Sequence, residues 1–258
     1  MQVVQIRTES PKAPSPLPFP SAGDRWFRAC GANLRKFSRL HKKIIKQKFV
    51  ETMKQQFVET IKIKNGKALA LPYHQARMER TIRRFFPSFP SLASEEIKLS
   101  SLISPKEEMN LYKARVVYGI QGVEAIEYAP YKMKEIHSLK VVEDNNIDYT
   151  YKSTDRSALN ALVAQKGDCD EIIIVKNGLI TDTSFTNLAL FDGNNWLTPK
   201  HPLLHGTKRA QLLEAGIIEE TNLTPEDLRK AEKVSLFNAM IDFGEREVTK
   251  IFLPNSAD

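Results

Sequence analysis

The sequence predicts a mixed α+β/α/β fold in two parts, a small N-terminal α/β domain over 53–130 and a larger C-terminal domain over 131–258, preceded by a disordered basic, proline-rich extension over 1–52. Three observations predict it. Two Asn-Gly pairs, Asn65-Gly66 and Asn177-Gly178, each separate strand-like apolar runs, and both residues of such a pair tolerate the positive φ of a type I′ hairpin. Between the hairpins lie segments of helical spacing, so strands and helices are interleaved. The composition also changes sharply before residue 53, where Pro11, Pro14, Pro16, Pro18 and Pro20 stand among serines and cannot sustain helix or sheet.

The chain has 258 residues, 41% of them hydrophobic, enough to bury the core of one large or two small domains. No apolar run reaches the ~18 residues of a membrane span, and the N-terminus lacks the apolar centre of a secretion signal. Two cysteines, Cys30 and Cys169, make no metal or disulfide pattern and point to a reducing, cytoplasmic setting. The net charge of +7 is concentrated at one end: residues 1–50 carry +9, leaving −2 for the rest. A near-neutral body without aromatic–basic interleaving argues against nucleic acid as a partner.

Three readings compete for residues 1–52: a disordered tail, an organelle-targeting peptide, or an upstream extension of a chain whose working start is Met53. We favour the last, because MKQQFVETIKIKNGKALAL opens a domain cleanly. From Phe57 the pattern alternates as a hairpin, VETIKIK, Asn65-Gly66, then KALALPY. Pro72 marks a helix start, and His74, Arg77, Met78, Thr81, Ile82 and Phe85 predict a helix over 72–86 with His74 and Arg77 one turn apart. Strands follow at 113–118 and 123–128 around a turn at 119–122, with an interdomain linker at 127–132. A strand over 135–142 and a helix over 154–166 lead to the central hairpin, Glu171 to Gly193. Its second strand is broken by Asp182, Thr183, Ser184, Thr186 and Asn187, so many small polar groups that a polar ligand is the natural partner. Helices at 207–214 and 224–231 follow, the second with a capping-box variant, Thr224 and Asp227. Residues 233–245 read as a final strand and loop.

Laid out in this order, residues 57–250 resemble the class IV aminotransferase family, the fold-type IV pyridoxal-phosphate enzymes with a D-amino-acid-aminotransferase-like fold. VETI at 58–61 looks like the family's FETI strand, HQAR at 74–77 like its H-x-x-R helix, and YKSTDR at 151–156 like the segment carrying the cofactor lysine. NGLITDTSFTN at 177–187 is similar to its G-x-(I/V)-x-E-x-S-x-x-N hairpin, and Thr198-Pro199 with LLHGTKR at 203–209 to its TP and LxGxTR motifs.

The resemblance implies pyridoxal 5′-phosphate as cofactor, with Lys152 forming the Schiff base and shuttling protons, its pKa lowered against Tyr149 and Tyr151. It implies Asp182 as acid partner of the pyridine nitrogen, one methylene shorter than the family's glutamate. Arg77 and the helix start at Gly206, Thr207 and Lys208 would cradle the phosphate, and Ser184, Thr186 and Asn187 would line the cofactor. No metal is implied. Side chains two apart on a strand share a face, so Asp182, Ser184 and Thr186 are expected on one wall and Thr183, Phe185 and Asn187 on the other, unless a bulge intervenes. The family's strand pair and D-R-G…G-D-G loop before FETI have no counterpart in residues 1–56.

The reactions to choose from are those of 4-amino-4-deoxychorismate lyase, branched-chain aminotransferase and D-amino-acid aminotransferase. The short body, ITDTSFTN, NAM at 238–240 and the absence of a clear arginine pattern for a substrate carboxylate over 113–128 resemble the lyase group most. That implies a small-molecule amino substrate, a homodimer, and release of pyruvate to leave 4-aminobenzoate for folate. A catalytically impaired homologue acting as a binding protein is the non-enzyme alternative.

Overall fold

The structure is a computed structural model that describes residues 2–4, 54–86 and 97–253. The first sheet holds β1 (Gln2–Val4), β2 (Gln56–Lys64), β3 (Lys67–Ala68), β4 (Leu111–Gly119) and β5 (Gly122–Pro130), in the antiparallel order β1-β5-β4-β2-β3. The β2–β3 turn uses positive φ at Asn65 (50°) and Gly66 (69°), as the Asn-Gly pair predicts. The expected strand over 67–73 is cut to two residues. Ala70 takes a positive φ of 57° and turns the chain into α1 (Leu71–Phe85), with Pro72 in its first turn. Of the extension over 1–52, only β1 is described: its backbone pairs with β5, Gln2 opposite Tyr128, so this short piece is no free tail. The rest of the extension, and the Pro/Ser-rich stretch over 87–96, lie outside the described residues.

One face of this sheet is covered by α1. Met78 and Ile82 meet Ile61, Ile63, Ala114 and Val116, all buried. A short helix, α2 (Leu99–Leu102), closes the edge of that core. The opposite face carries Thr60 and Lys62 on β2, with Lys113 directly across from Lys62 on β4.

After residue 131 the core is built from other clusters. β6 (Ser138–Glu143), α3 (Ser157–Val163), β7 (Glu171–Lys176), β8 (Leu179–Thr183) and β14 (Lys250–Phe252) give a four-stranded sheet, β14-β6-β7-β8, with β6 and β7 parallel. This sheet is buried on both faces, which is why Ile172 to Val175 is an unbroken apolar run. Ile173 and Val175 face Leu188 and Leu236, while Ile172 and Ile174 face Leu159 and Leu162 of α3. A third sheet, β11-β10-β9-β12-β13, comprises β9 (Asn187–Phe191), β10 (Trp196–Pro199), β11 (Glu219–Thr221), β12 (Lys233–Phe237) and β13 (Glu247–Val248). It carries α4 (Thr207–Glu214), whose Leu212 packs on Phe237, and α5 (Pro225–Lys230), capped by the Thr224–Asp227 box.

Two departures from the sequence reading position the site. The helix expected from 154 begins only at Ser157, because residues 152–154 run along β2: Val58 donates its N–H to the Lys152 carbonyl at 2.9 Å, and Thr154 donates to Gln56 at 3.0 Å. The second strand of the central hairpin is not one strand. It stops at Thr183, turns, and re-enters the third sheet as β9. Among the described residues no helix is long and apolar enough to cross a membrane.

Candidate active site

A cavity of ≈ 410 Å³ opens where the three sheets meet, within the range of small-molecule sites. It brings together Lys152, Arg77, Asp182, Ser184, Thr186, Asn187, Gly206 and Thr207 from four separate stretches of the chain. Of the residues expected at the site, Lys208 alone does not line it. One helical residue further on is a rotation of ~100°, which turns its Nζ to Asp242 Oδ1 at 2.6 Å.

Lys152 is half-buried, and the surface it exposes belongs to the cavity. Its carbonyl is fixed to β2, so the side chain is delivered from an extended segment rather than a mobile loop. Burial, then the nearby Arg77 and Arg156 charges, lower its pKa to about 8 against the pull of Glu59. Tyr149 lines the cavity beside it, its hydroxyl donating to the Ser153 carbonyl at 2.8 Å. Tyr151 contributes less than expected: in an extended segment it faces the other way and packs edge-on against Phe85, ring centroids 4.8 Å apart.

Arg77 arrives from the buried face of α1 with its partner built in. Its Nε donates to Glu59 Oε1 at 2.9 Å and its Nη2 to Oε2 at 2.5 Å, a two-point pairing that fixes the guanidinium plane. Its Nη1 has no protein partner among the described residues, and Arg77 lines the cavity. His74 Nδ1 lies 2.6 Å from Glu59 Oε2. Burial lowers the His74 pKa despite Glu59, so the neutral ring donates from Nδ1 and its Nε2 accepts from Thr207 Oγ1 at 3.5 Å. Glu59, fully buried, keeps a pKa of about 2: burial raises it, and the Arg77 charge with the His74 and Arg77 hydrogen bonds outweighs that. The sequence reading matched VETI yet gave Glu59 no role. The signal was present, since Phe57, Glu59, Ile61 and Ile63 alternate onto the α1 side of β2 and a carboxylate there needs a cation.

Gly206 and Thr207 line the cavity at the start of α4, where no side chain caps the helix, and a helix start favours an anion. Asn187 donates its Nδ2 to Asp182 Oδ1 at 2.7 Å and to the Leu204 carbonyl at 2.9 Å, while the Leu204 N–H donates to Asp182 Oδ2 at 2.8 Å. Asp182 is thus fixed at both oxygens but has no cation directly against it. Burial pushes its pKa up to about 7, opposed by the Leu204 N–H, Asn187 and Arg209.

The expected alternation of faces fails at the turn. Thr183 receives the Thr186 N–H on its Oγ1 at 2.9 Å, and its own N–H donates to the Thr186 carbonyl at 3.0 Å. This loop of Thr183 to Thr186 puts Asp182 and Asn187 on the same side, and all six residues from Asp182 to Asn187 touch the cavity. Phe185 is half-buried at the cavity rather than deep in the core.

Several lining residues were not anticipated. Arg156 stacks over Tyr149 at 5.6 Å and donates to the Ser184 carbonyl at 2.9 Å. Asn238 donates to the Phe185 carbonyl at 3.1 Å and accepts from the Met240 and Ile241 amides, shaping the wall of Ala239 and Met240. Lys113, Lys132 and Lys134 stand around the cavity as well. Isolated lysines carry no sequence signal that separates them from surface charge.

A family model for amino-transferase class IV matches residues 56–251. An uncharacterised protein of Haemophilus influenzae is 37% identical over 178 residues, covering 69% of this chain and 94% of its own length. A Schizosaccharomyces pombe protein described as a "putative aminodeoxychorismate lyase" is 29% identical over 190 residues, 68% of this chain and 82% of that one. A crystal structure from Haemophilus somnus, described as a "putative 4-amino-4-deoxychorismate lyase", is 35% identical with a TM-score of 0.67, covering 73% of this chain and 98% of its own.

Proposed function

Since the chain belongs to the class IV aminotransferase family, whose members are pyridoxal-phosphate enzymes, we propose that it is a 4-amino-4-deoxychorismate lyase that releases pyruvate and leaves 4-aminobenzoate. The observation that carries this reading is the 35% identity to a so-described lyase across 98% of that chain, a likeness that reaches past the fold. The reading extends to a homodimer, which the family resemblance implies, and to the cytoplasm, which the cysteine usage suggests.

The cavity lining fits pyridoxal 5′-phosphate. Lys152 offers a partly neutral amine for its aldehyde. The free Nη1 of Arg77 and the amides at Gly206 and Thr207 suit its phosphate. Asp182, a buried carboxylate with no cation against it and a raised pKa, suits the proton of the ring nitrogen. When bound, the cofactor supplies a ring that accepts the electron pair left as the substrate loses its proton.

The chain's own residues then divide the work. Near neutral pH roughly a tenth of Lys152 amines are uncharged, by the usual titration relation, and an uncharged Lys152 can act as base. Its Nζ takes the proton from the ring carbon that bears the amino group. The neighbouring carbon–oxygen bond breaks, pyruvate leaves as its enol, and the ring becomes aromatic. Glu59 holds Arg77 in place, and Asn187 holds Asp182.

The test is to load the purified protein with pyridoxal phosphate, supply 4-amino-4-deoxychorismate, and quantify 4-aminobenzoate and pyruvate together. Equal amounts of both are expected. Transfer of the amino group to a 2-oxo acid, with no pyruvate released, would overturn the lyase reading and leave the aminotransferase one.

A further inference from the structure

A chain of buried side chains joins two points on the cavity wall. On β2, Glu59 accepts from Nε and Nη2 of Arg77 and from Nδ1 of His74. On its other side, His74 Nε2 lies 3.5 Å from Thr207 Oγ1 at the start of α4. His74 has no exposed surface, and among the described residues its Nε2 has no other partner. Both ends of the chain, Arg77 and Thr207, line the cavity. The proposed cofactor uses Arg77 and the start of α4, which leaves His74 and the Thr207 hydroxyl without a role.

The protons in this chain can be counted. Glu59 stays ionised and can only accept, so His74 Nδ1 carries a proton whatever the charge of the ring. In the neutral ring Nε2 is then a bare acceptor. Thr207 has one hydroxyl proton, which goes to Nε2 and leaves only lone pairs for the cavity. A phosphate dianion also only accepts, so it competes with Nε2 for that single proton. Charge points the same way. Burial is the largest influence keeping His74 neutral; Glu59 on β2 favours the charged ring, while Arg77 on α1 and Lys152 on the segment along β2 oppose it. Glu59 and Arg77 already cancel, so in the cofactor-free protein a charged His74 would be an excess buried cation. Two negative charges at the start of α4 reverse that balance.

We infer that His74 takes up a proton from solvent when a phosphate dianion binds beside Arg77 and Thr207, which rests on the proposed seat of the cofactor's phosphate and not on the reaction that follows. The new Nε2–H donates to Thr207 Oγ1, and the freed hydroxyl proton turns to a phosphate oxygen. One proton enters from water, one hydroxyl rotates, and no covalent bond between heavy atoms changes. His74 is thus a positioning residue that acts on the phosphate through Thr207. Phosphate affinity should fall as pH rises, by up to about tenfold per pH unit for one linked proton.

The experiment uses the full chain freed of cofactor and pyridoxine 5′-phosphate, whose alcohol cannot link to Lys152. At about pH 7.5 a phosphate monoester is mostly the dianion. Calorimetry in buffers of different ionisation enthalpy counts the protons exchanged. The wild type is expected to take up about one proton more per site than His74→Asn, which keeps a donor for Glu59 but cannot titrate. Lys152 and Asp182 are present in both proteins, so their contributions cancel in the difference. Nitrogen NMR of the wild-type histidine rings should show His74 Nε2 pass from unprotonated to protonated as the ligand binds, a readout that does not depend on the variant folding. Equal proton uptake by the two proteins, or an Nε2 that stays unprotonated in the complex, would overturn the linkage and leave the cofactor site standing. Pyridoxine binding as tightly as its 5′-phosphate would sink the phosphate seat and the linkage with it. A proton taken up at His74 in a protein that forms no 4-aminobenzoate would uphold the linkage while sinking the lyase reading.

Discussion

Asn187 donates its side-chain amide to Asp182 at 2.7 Å, and its Oδ1 occupies the place where a Cβ on Gly206 would stand. One amide therefore fixes the carboxylate at one end of the cavity and demands glycine at the helix start. Gly206 has ordinary extended backbone, φ −68° and ψ 148°, so space rather than conformational freedom excludes other residues there. Gly206→Ala is expected to displace Asn187 and cost about 1–3 kcal/mol of stability, the scale of overpacking in a filled interior. Cofactor affinity should fall with it. Urea unfolding and a cofactor titration check this, and unchanged values in both would refute the close approach.

Glu59 is the counter-charge of a buried arginine. Glu59→Gln should cost about 3–5 kcal/mol, because Arg77 is left with an uncompensated charge in the interior. The pH dependence has a defined sign. The folded pKa of about 2 lies below the ordinary glutamate value of 4.5, so this contribution is present above pH 4.5 and lost as pH falls towards 2, about 3 kcal/mol over the window. The stability gap between wild type and variant should therefore close on acidification. A gap that stays constant from pH 6 to pH 2.5 would contradict the pairing.

Lys152→Ala should leave the fold intact, since the side chain faces a cavity rather than the core. It should abolish the borohydride-reducible link to pyridoxal phosphate. In the wild type, capture of the aldehyde should rise with pH through about 8, where burial and Arg77 place the amine. A reducible adduct that persists in the variant would mean that another lysine carries the cofactor.

Much of this site was legible in local pattern. The Asn-Gly turns gave both hairpins, and the spacing of His74, Arg77, Met78, Thr81 and Ile82 gave the buried face of α1. What stayed hidden is tertiary. No residue from Asp182 to Asn187 announces that the chain leaves one sheet for another, because Thr183 and Thr186 make the turn with hydroxyls that strands also tolerate. The same holds for Lys208, which differs from Thr207 by one step of helix rotation.

Asp182 supplies the last prediction. Its carboxyl stands at about 7, far above the ordinary aspartate value of 3.8, because burial penalises the charge more than Leu204, Asn187 and Arg209 favour it. A folded pKa above the unfolded one means that the cofactor-free protein takes up a proton on folding. Its stability should fall as pH rises from about 4 to 7, by about 4 kcal/mol in all. Asp182→Asn cannot titrate, so the wild type should lose ground to the variant by that amount across the window. The variant carries its own cost at every pH, because Asn187 and the Leu204 N–H donate to different oxygens of Asp182 and an amide puts a donor in place of one of them. Loading with pyridoxal phosphate should shrink the wild-type slope, since a protonated ring nitrogen gives the carboxylate its missing cation. Turnover in the variant should drop by roughly 100-fold or more, the scale of losing one electrostatic partner of a developing charge, while the cofactor still binds. Parallel pH curves for the two cofactor-free proteins, or undiminished turnover in the variant, would remove Asp182 from this role.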